Sequence, residues 1–145
     1  MSFSIDVNLL VYASDEGSPH HQLARSFLDR CVAGRELLCI AWSTAMSYVR
    51  IVTHPGILAA PLHPSEALTN LSSLIELPNV RMLTEQPGFI AAYIEVTGGE
   101  PFRGRLVPDA HLAAILLQND VRKLFTNDSG FRRFSFLTVQ NPLAA

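Results

Sequence analysis

The sequence predicts an α/β fold in which a mostly parallel sheet of four to five strands is covered by helices on both faces. Two observations predict it. Short apolar runs of strand character alternate with longer segments of helical period, the pattern of successive strand–helix units. The run Glu36 to Ala41 is also continuously apolar after its first residue, as expected of a parallel strand buried on both faces. With 145 residues, 48% hydrophobic and 17% charged, the chain is expected to form one domain over 1–145.

The first strand is Phe3 to Ile5. At Asp6 the period changes, and Val7, Leu10 and Val11 recur at helical spacing. After a turn at Asp15 to Pro19, Ser18 caps a helix with Pro19 in its first turn; Leu23, Phe27 and Leu28 form its stripe and Gly34 ends it. The strand Glu36 to Ala41 leads into a helix opened by Trp42-Ser43-Thr44, with Met46, Val49 and Val52 facing inward. His54-Pro55-Gly56 breaks it, and a loop follows to His63. Pro64 and Ser65 start a helix striped by Ala67, Leu68, Leu71, Leu74 and Ile75, stopped at Pro78-Asn79. A third strand spans Val80 to Leu83, and a helix spans Pro87 to Val96. Gly98 to Arg105 is a loop of Gly, Arg and Pro, a composition that suits either a functional loop or a plain solvated connection. A helix from Pro108 runs to Asn119-Asp120. Then come a strand at Lys123 to Thr126, a turn at Asn127 to Gly130, a helical turn at Phe131 to Phe134, and a last strand at Phe136 to Val139.

Composition narrows the function. A net charge of −2 gives no support for an overall basic nucleic-acid binder. Lys123 is the one lysine beside ten arginines, which hints at a polyanionic partner, although GC-rich coding has the same effect. Cys31 and Cys39 are too few for a disulfide framework or zinc cluster and read as core residues. There is no 18-residue apolar run and no signal-peptide pattern, so no membrane association and a cytoplasmic location are expected.

Three aspartates carry the chemistry. Asp6 follows the first strand, Asp128 follows the fourth, and Asp109 stands at the head of a helical stripe made by Leu112, Ala113, Leu116 and Leu117. In a parallel sheet the carboxyl ends of all strands lie on one rim, where such folds bind ligands. A helix running back against the strands also begins there. Each acid has a plain alternative: a helix N-cap for Asp6 and Asp109, an Asx-turn for Asp128. Gathered together, carboxylates repel unless a cation compensates. An all-oxygen set suits Mg²⁺ or Mn²⁺, and the natural chemistry is phosphodiester hydrolysis, the ion activating water and stabilising the pentavalent charge.

Ile5 to Tyr12 (IDVNLLVY), Pro108 to Ile115 (PDAHLAAI) and Leu124 to Phe131 (LFTNDSGF) together resemble the PIN-domain ribonucleases. More narrowly, they resemble the VapC-type toxins of bacterial toxin–antitoxin modules, and the similarity runs end to end. The resemblance implies a three-layer α/β/α sandwich, Mg²⁺- or Mn²⁺-dependent cleavage of RNA, inhibition by a small cognate antitoxin, and a homodimer. It assigns Asp6, Asp109 and Asp128 as catalytic metal ligands, with Asn8 and Thr126 supporting them. The helix after the second strand usually carries a Glu three residues before an Arg. Here the Arg is Arg50 and the earlier position is Ser47, which is left to orient a water or simply to be solvated. A second acid often follows the T-x-D turn, and here that place is Gly130. With Ser47 and Gly130 at these usually acidic positions, three carboxylates can hold one ion with waters filling the rest, a second ion would lack ligands, and the number bound is left open.

Arg50, Arg103, Arg105, Arg132 and Arg133 are the candidates for contact with RNA phosphate or with acidic groups of the antitoxin. His111, two residues past Asp109, points elsewhere on its helix. Two further readings compete with the nuclease. A catalytically weak PIN fold that chiefly binds RNA or antitoxin is motivated by Ser47 and Gly130. Aspartyl-phosphate chemistry of the haloacid-dehalogenase type ranks low, because its second Asp is replaced by Asn8.

Overall fold

The computed structural model describes residues 1–144; Ala145, the last residue of the expected single domain, lies outside them. Five strands, β1 (Ser2–Ile5), β2 (Leu37–Ala41), β3 (Val80–Leu83), β4 (Lys123–Phe125) and β5 (Thr138–Gln140), form one sheet in the order β3-β2-β1-β4-β5. Every pairing is parallel. Six helices cover it: α1 (Val7–Ser14), α2 (His21–Ala33), α3 (Trp42–Val52), α4 (Pro64–Ile75), α5 (Phe89–Thr97) and α6 (Val107–Gln118).

Alternation along the strands divides the core in two. Leu38 and Ile40 of β2 join Phe3, Ile5 and the residues of α1 to α4 in one cluster. Cys39 and Ala41, pointing the other way, join Leu83, Leu124, α6 and the Phe131–Phe134 pair. Side chains two apart share a face, so one strand feeds both cores and three layers result. Burial raises the Cys39 thiol and pushes that of Cys31 up to about 11, which keeps both as inert core groups.

The expected elements are present, with shifts at their edges. α2 begins at His21 rather than at Pro19, because Ser18 Oγ accepts from the His20 N–H at 3.1 Å and holds residues 18–20 in a turn. β4 ends at Phe125, one residue early, although the Thr126 N–H still donates to Gln140 O of β5 at 2.9 Å. β5 is displaced to Thr138–Gln140, where it can pair with β4 through Thr138, Val139 and Gln140. In three helices one expected core residue lies on the outside. Leu23, Met46 and Leu68 are exposed. The buried positions are Ala24, Phe27 and Cys31 in α2, Thr44, Ala45, Tyr48 and Val52 in α3, and Ala67 and Leu71 in α4, so Phe27, Val52, Ala67 and Leu71 face inward as expected. Ala24, Ala45 and Ala67 are fully enclosed, small side chains that let a helix approach the sheet or its neighbour closely. α6 is buried at Ala110 and throughout Leu112–Leu116, so it has no single stripe.

The difference between the two leucines of α4 has a measurable consequence. Leu71→Ala should cost about 2–5 kcal/mol in urea unfolding, whereas Leu68→Ala, one turn away, should stay within about 0.5 kcal/mol of the parent.

Candidate functional site

β1 and β4 are neighbours, paired through Ser4 with Leu124 and Ile5 with Phe125. Asp6 and the turn carrying Asp128 therefore leave the sheet side by side. The Asp6 N–H donates to Phe125 O at 2.9 Å, extending the pairing by one residue. Asp6 then takes an extended conformation and caps α1, Oδ1 accepting from the Val7 N–H at 2.7 Å. Its other oxygen, Oδ2, accepts from the Thr126 hydroxyl at 2.8 Å. Capping thus uses one oxygen of Asp6 and leaves the second facing the neighbouring strand.

Thr126 is buried, and its hydroxyl has two tasks. It donates to Asp6 and accepts from the Asp128 N–H at 2.9 Å, so one oxygen atom ties the first acid to the turn bearing the third. Asp128 is exposed and caps the 3₁₀ turn Ser129–Arg133, with Oδ1 accepting from the Gly130 N–H at 2.8 Å. A Cβ at Gly130 would stand 3.0 Å from that same carboxylate oxygen. Gly130 spares that oxygen a tight side-chain contact.

Asp109 lies in the first turn of α6 and is partly buried. Burial first, and then the charges of Asp128 and Asp6, push its carboxyl up to about 6, against the opposing charge of Arg133. Asp6 is also raised, by burial above all and slightly by Asp128, although its bonds to Thr126 and Val7 pull the other way. The three acids thus share one electrostatic neighbourhood.

Asn8 does not touch Asp6. Its Nδ2 donates to Asn127 Oδ1, and Asn127 Nδ2 donates to the Tyr12 hydroxyl at 3.3 Å. Asn8 therefore supports the site by holding the 127–130 turn against α1. Asn127 and Tyr12 are residues that sequence reasoning missed. The spacing of Asn8 and Tyr12, four residues apart on one helix face, was the available signal. His111 is occupied elsewhere, its Nε2 lying 2.7 Å from Glu85 Oε2 with the Phe89 ring edge-on to it. That bond is the main reason the Glu85 carboxyl is lowered.

The other expected residues divide clearly. Ser47 is partly buried on α3 and makes no hydrogen bond among the described residues, so nothing links it to the acids. Arg50 closes α3, and Arg103 and Arg105 flank Gly104 ahead of α6; all three are exposed and none acts on Asp6 or Asp109. Arg132 lines a small cleft with Thr126, Asn127 and Asp128. Arg133 is the better placed of the pair. Its Nε donates to Gly130 O at 2.9 Å, its guanidinium lies 5.6 Å over the Phe102 ring, and its charge reaches Asp109.

For a hard divalent cation the donor set fits in kind, being all oxygen, crowded with like charge and free of thiol or imidazole. It is not preassembled. Among the described residues no three His, Cys, Asp or Glu side chains converge into a ready ligand cluster. The Gly130 bond that turns Asp128 Oδ1 back on itself is one contact that assembly would have to replace.

Comparison with known proteins bears on the family and the fold. The PIN domain pattern matches residues 4–137. Ribonuclease VapC48 of Mycobacterium tuberculosis is 37% identical over 144 residues, 99% of either chain, and Ribonuclease VapC33 of the same organism is 29% identical over 138 residues, 95% of this chain and 96% of that one. Among solved structures, VapBC2 of Rickettsia felis, bound to a promoter DNA fragment, superposes with a TM-score of 0.68 at 15% identity, covering 97% of this chain and 98% of that one. Mycobacterium tuberculosis VapC20, described as a Sarcin-Ricin loop cleaving toxin, superposes with a TM-score of 0.64 at 12% identity, covering 90% and 92%. The strand order, the acids on one rim and a sequence match that runs almost from end to end have one explanation: the chain belongs to the PIN domain family.

Proposed function

We propose that this protein is a divalent-metal-dependent endoribonuclease and the toxin of a toxin–antitoxin pair. The observation that carries the reading is the Thr126 hydroxyl joining Asp6 to the Asp128 turn, with Asp109 in the same electrostatic neighbourhood. Asp6 is oriented by two hydrogen bonds, and burial together with mutual repulsion leaves it and Asp109 short of compensating positive charge, a condition that a bound cation relieves. The similarity to VapC48, a named ribonuclease, supports RNA as the substrate, and the VapBC complexes among the structural neighbours support an antitoxin partner. No helix among the described residues is long and apolar enough to cross a membrane. A homodimer working in the cytoplasm completes the proposal.

Asp6, Asp109 and Asp128 would hold the ion. Mg²⁺ or Mn²⁺, when bound, supplies a Lewis acid for the phosphodiester and relieves the repulsion among the three carboxylates. Asp6 is kept oriented by Thr126 and by the α1 N-terminus. Asp109, with a carboxyl at about 6, is the acid most readily shifted between protonated and ionised forms near neutral pH. Arg133 places a fixed positive charge beside the acids and is the first candidate for a substrate phosphate. A second reading, an RNA- or antitoxin-binding PIN fold with little turnover, draws on the acids not being preassembled. Turnover decides between them.

Purified Asp6→Asn protein should show no RNA cleavage above background and no growth arrest on expression, and EDTA should silence the parent. Cleavage persisting in that variant would remove the reading. Thr126→Val, which keeps shape but loses both bonds, should lower activity about 10- to 100-fold. The raised Asp109 carboxyl also has a thermal signature. A folded-state pKa above the unfolded value means that the folded chain holds the proton more tightly, so stability is full below the ordinary value of 3.8 and falls as pH rises towards about 6. In metal-free protein, Asp109→Asn should therefore raise Tm at pH 7.5 and leave it nearly unchanged at pH 4. Added Mn²⁺ should raise the Tm of the parent more than that of the variant.

A further inference from the structure

The largest described cavity by volume, about 640 Å³, lies between the end of α5, the loop that follows it and the 3₁₀ turn after β4. It is lined by Glu95, Thr97, Glu100, Phe102, Arg133 and Ser135, among others. Its volume is in the range of small-ligand sites. We infer that this cavity is the base pocket of the substrate groove, accepting a guanine of single-stranded RNA while Arg133 binds the adjoining phosphate. The inference rests on the ribonuclease reading and supplies the base preference which that reading leaves open.

The cavity joins the acids through a short bonded strip. Arg133, part of its wall, donates Nε to Gly130 O at 2.9 Å, and the Gly130 N–H donates to Asp128 Oδ1 at 2.8 Å. The guanidinium lies over the Phe102 ring at 5.6 Å, and Phe134 packs against that ring at 5.7 Å. Nε is thus committed, while the two terminal nitrogens have no hydrogen bond among the described residues. Those free N–H groups form the fork that matches a phosphate. A nucleotide with its phosphate at Arg133 has its base directed to one side or the other, and the cavity is the concave side.

The lining chooses the base. Glu95 and Glu100 are exposed, and their carboxylates have no ion pair or hydrogen bond among the described residues. Gly98 and Gly99, at φ +58° and +80°, carry the chain from one to the other. Carboxylates only accept hydrogen bonds and repel phosphate, so the pocket favours a base edge rich in donors. Guanine presents N1–H and N2–H₂ side by side and satisfies both oxygens of one carboxylate; adenine, cytosine and uracil each offer donors from a single ring position. Phe102 and Phe136 supply apolar wall for a splayed-out base, the form in which single-stranded RNA is read.

The test uses the full chain, ¹⁵N-labelled and without metal, titrated with the 5′-monophosphates of guanosine, adenosine, cytidine and uridine. Amide shifts at Thr97, Gly98, Gly99 and Ser135 should saturate with the guanosine nucleotide at about tenfold lower concentration than with the others. Glu95→Gln combined with Glu100→Gln should erase that preference, whereas Arg133→Gln should weaken all four alike. Both glutamates are exposed, so the amide spectrum reports directly whether the variant is folded. Equal responses to the four nucleotides, or a guanosine preference that survives in the double variant, would overturn the inference. Mapping cuts in one single-stranded RNA separates it from the reading beneath it. Identical cut sites for parent and double variant would remove the pocket and leave the ribonuclease standing. Selective guanosine binding by a protein that cuts nothing would keep the pocket and remove the ribonuclease.

Discussion

The pairing of β1 with β4 is the constraint on which the candidate site depends. The two strands come from opposite ends of the chain, yet Ser4 opposes Leu124 and Ile5 opposes Phe125 in register. Because the pairing is parallel, both strands deliver their next residues to the same rim. Asp6 and Thr126 are those residues, and the 2.8 Å bond between them needs no long side chain to reach across. A slip of one residue would send Thr126 to the opposite face of the sheet and leave the Asp6 carboxylate with only its helix cap. The burial of Leu124 and Ile5, both fully enclosed, guards against that slip.

Electrostatics then set the character of the rim. Burial acts against the ionised forms of Asp6 and Asp109, and the acids act against one another. The compensation is modest: a threonine hydroxyl, a helix N-terminus and one arginine anchored to a backbone carbonyl. Such a cluster stores repulsion that a bound cation would release, which gives physical content to the proposed metal dependence. Gly130 shapes the same rim by omission. Without a side chain there, the carboxylate of Asp128 caps its turn free of a tight contact, and Arg133 is anchored to the Gly130 carbonyl at the position where the resemblance would place an acid.

Much of the fold was legible because it rests on local chemistry. The continuous apolar stretch Leu37–Ala41, the Pro64 start and the Gly98-Gly99 stop are properties of a few adjacent residues, and they stand where expected. The inward faces of α2, α3 and α4 were less legible. Leu23, Met46 and Leu68 have the hydrophobicity of core residues but stand exposed, while Ala24 and Ala45, outside the expected stripes, are fully buried. Hydrophobicity ranks what a residue gains by burial; it does not say which side of a helix fits its neighbour.

By itself the sequence determined the alternation of strands and helices, the three acids and the kind of ion they suit, since each follows from residue type and spacing. Only the tertiary structure decided the strand order, and with it the contact between Asp6 and the turn of Asp128. It also decided that Asn8 acts through Asn127 and Tyr12, that Arg133 alone among five candidate arginines counterbalances Asp109, and that a cavity opens beside it. Those are relations between residues about 120 positions apart or on separate elements. Periodicity carries no information about which strand lies beside which, because every buried parallel strand presents the same apolar pattern.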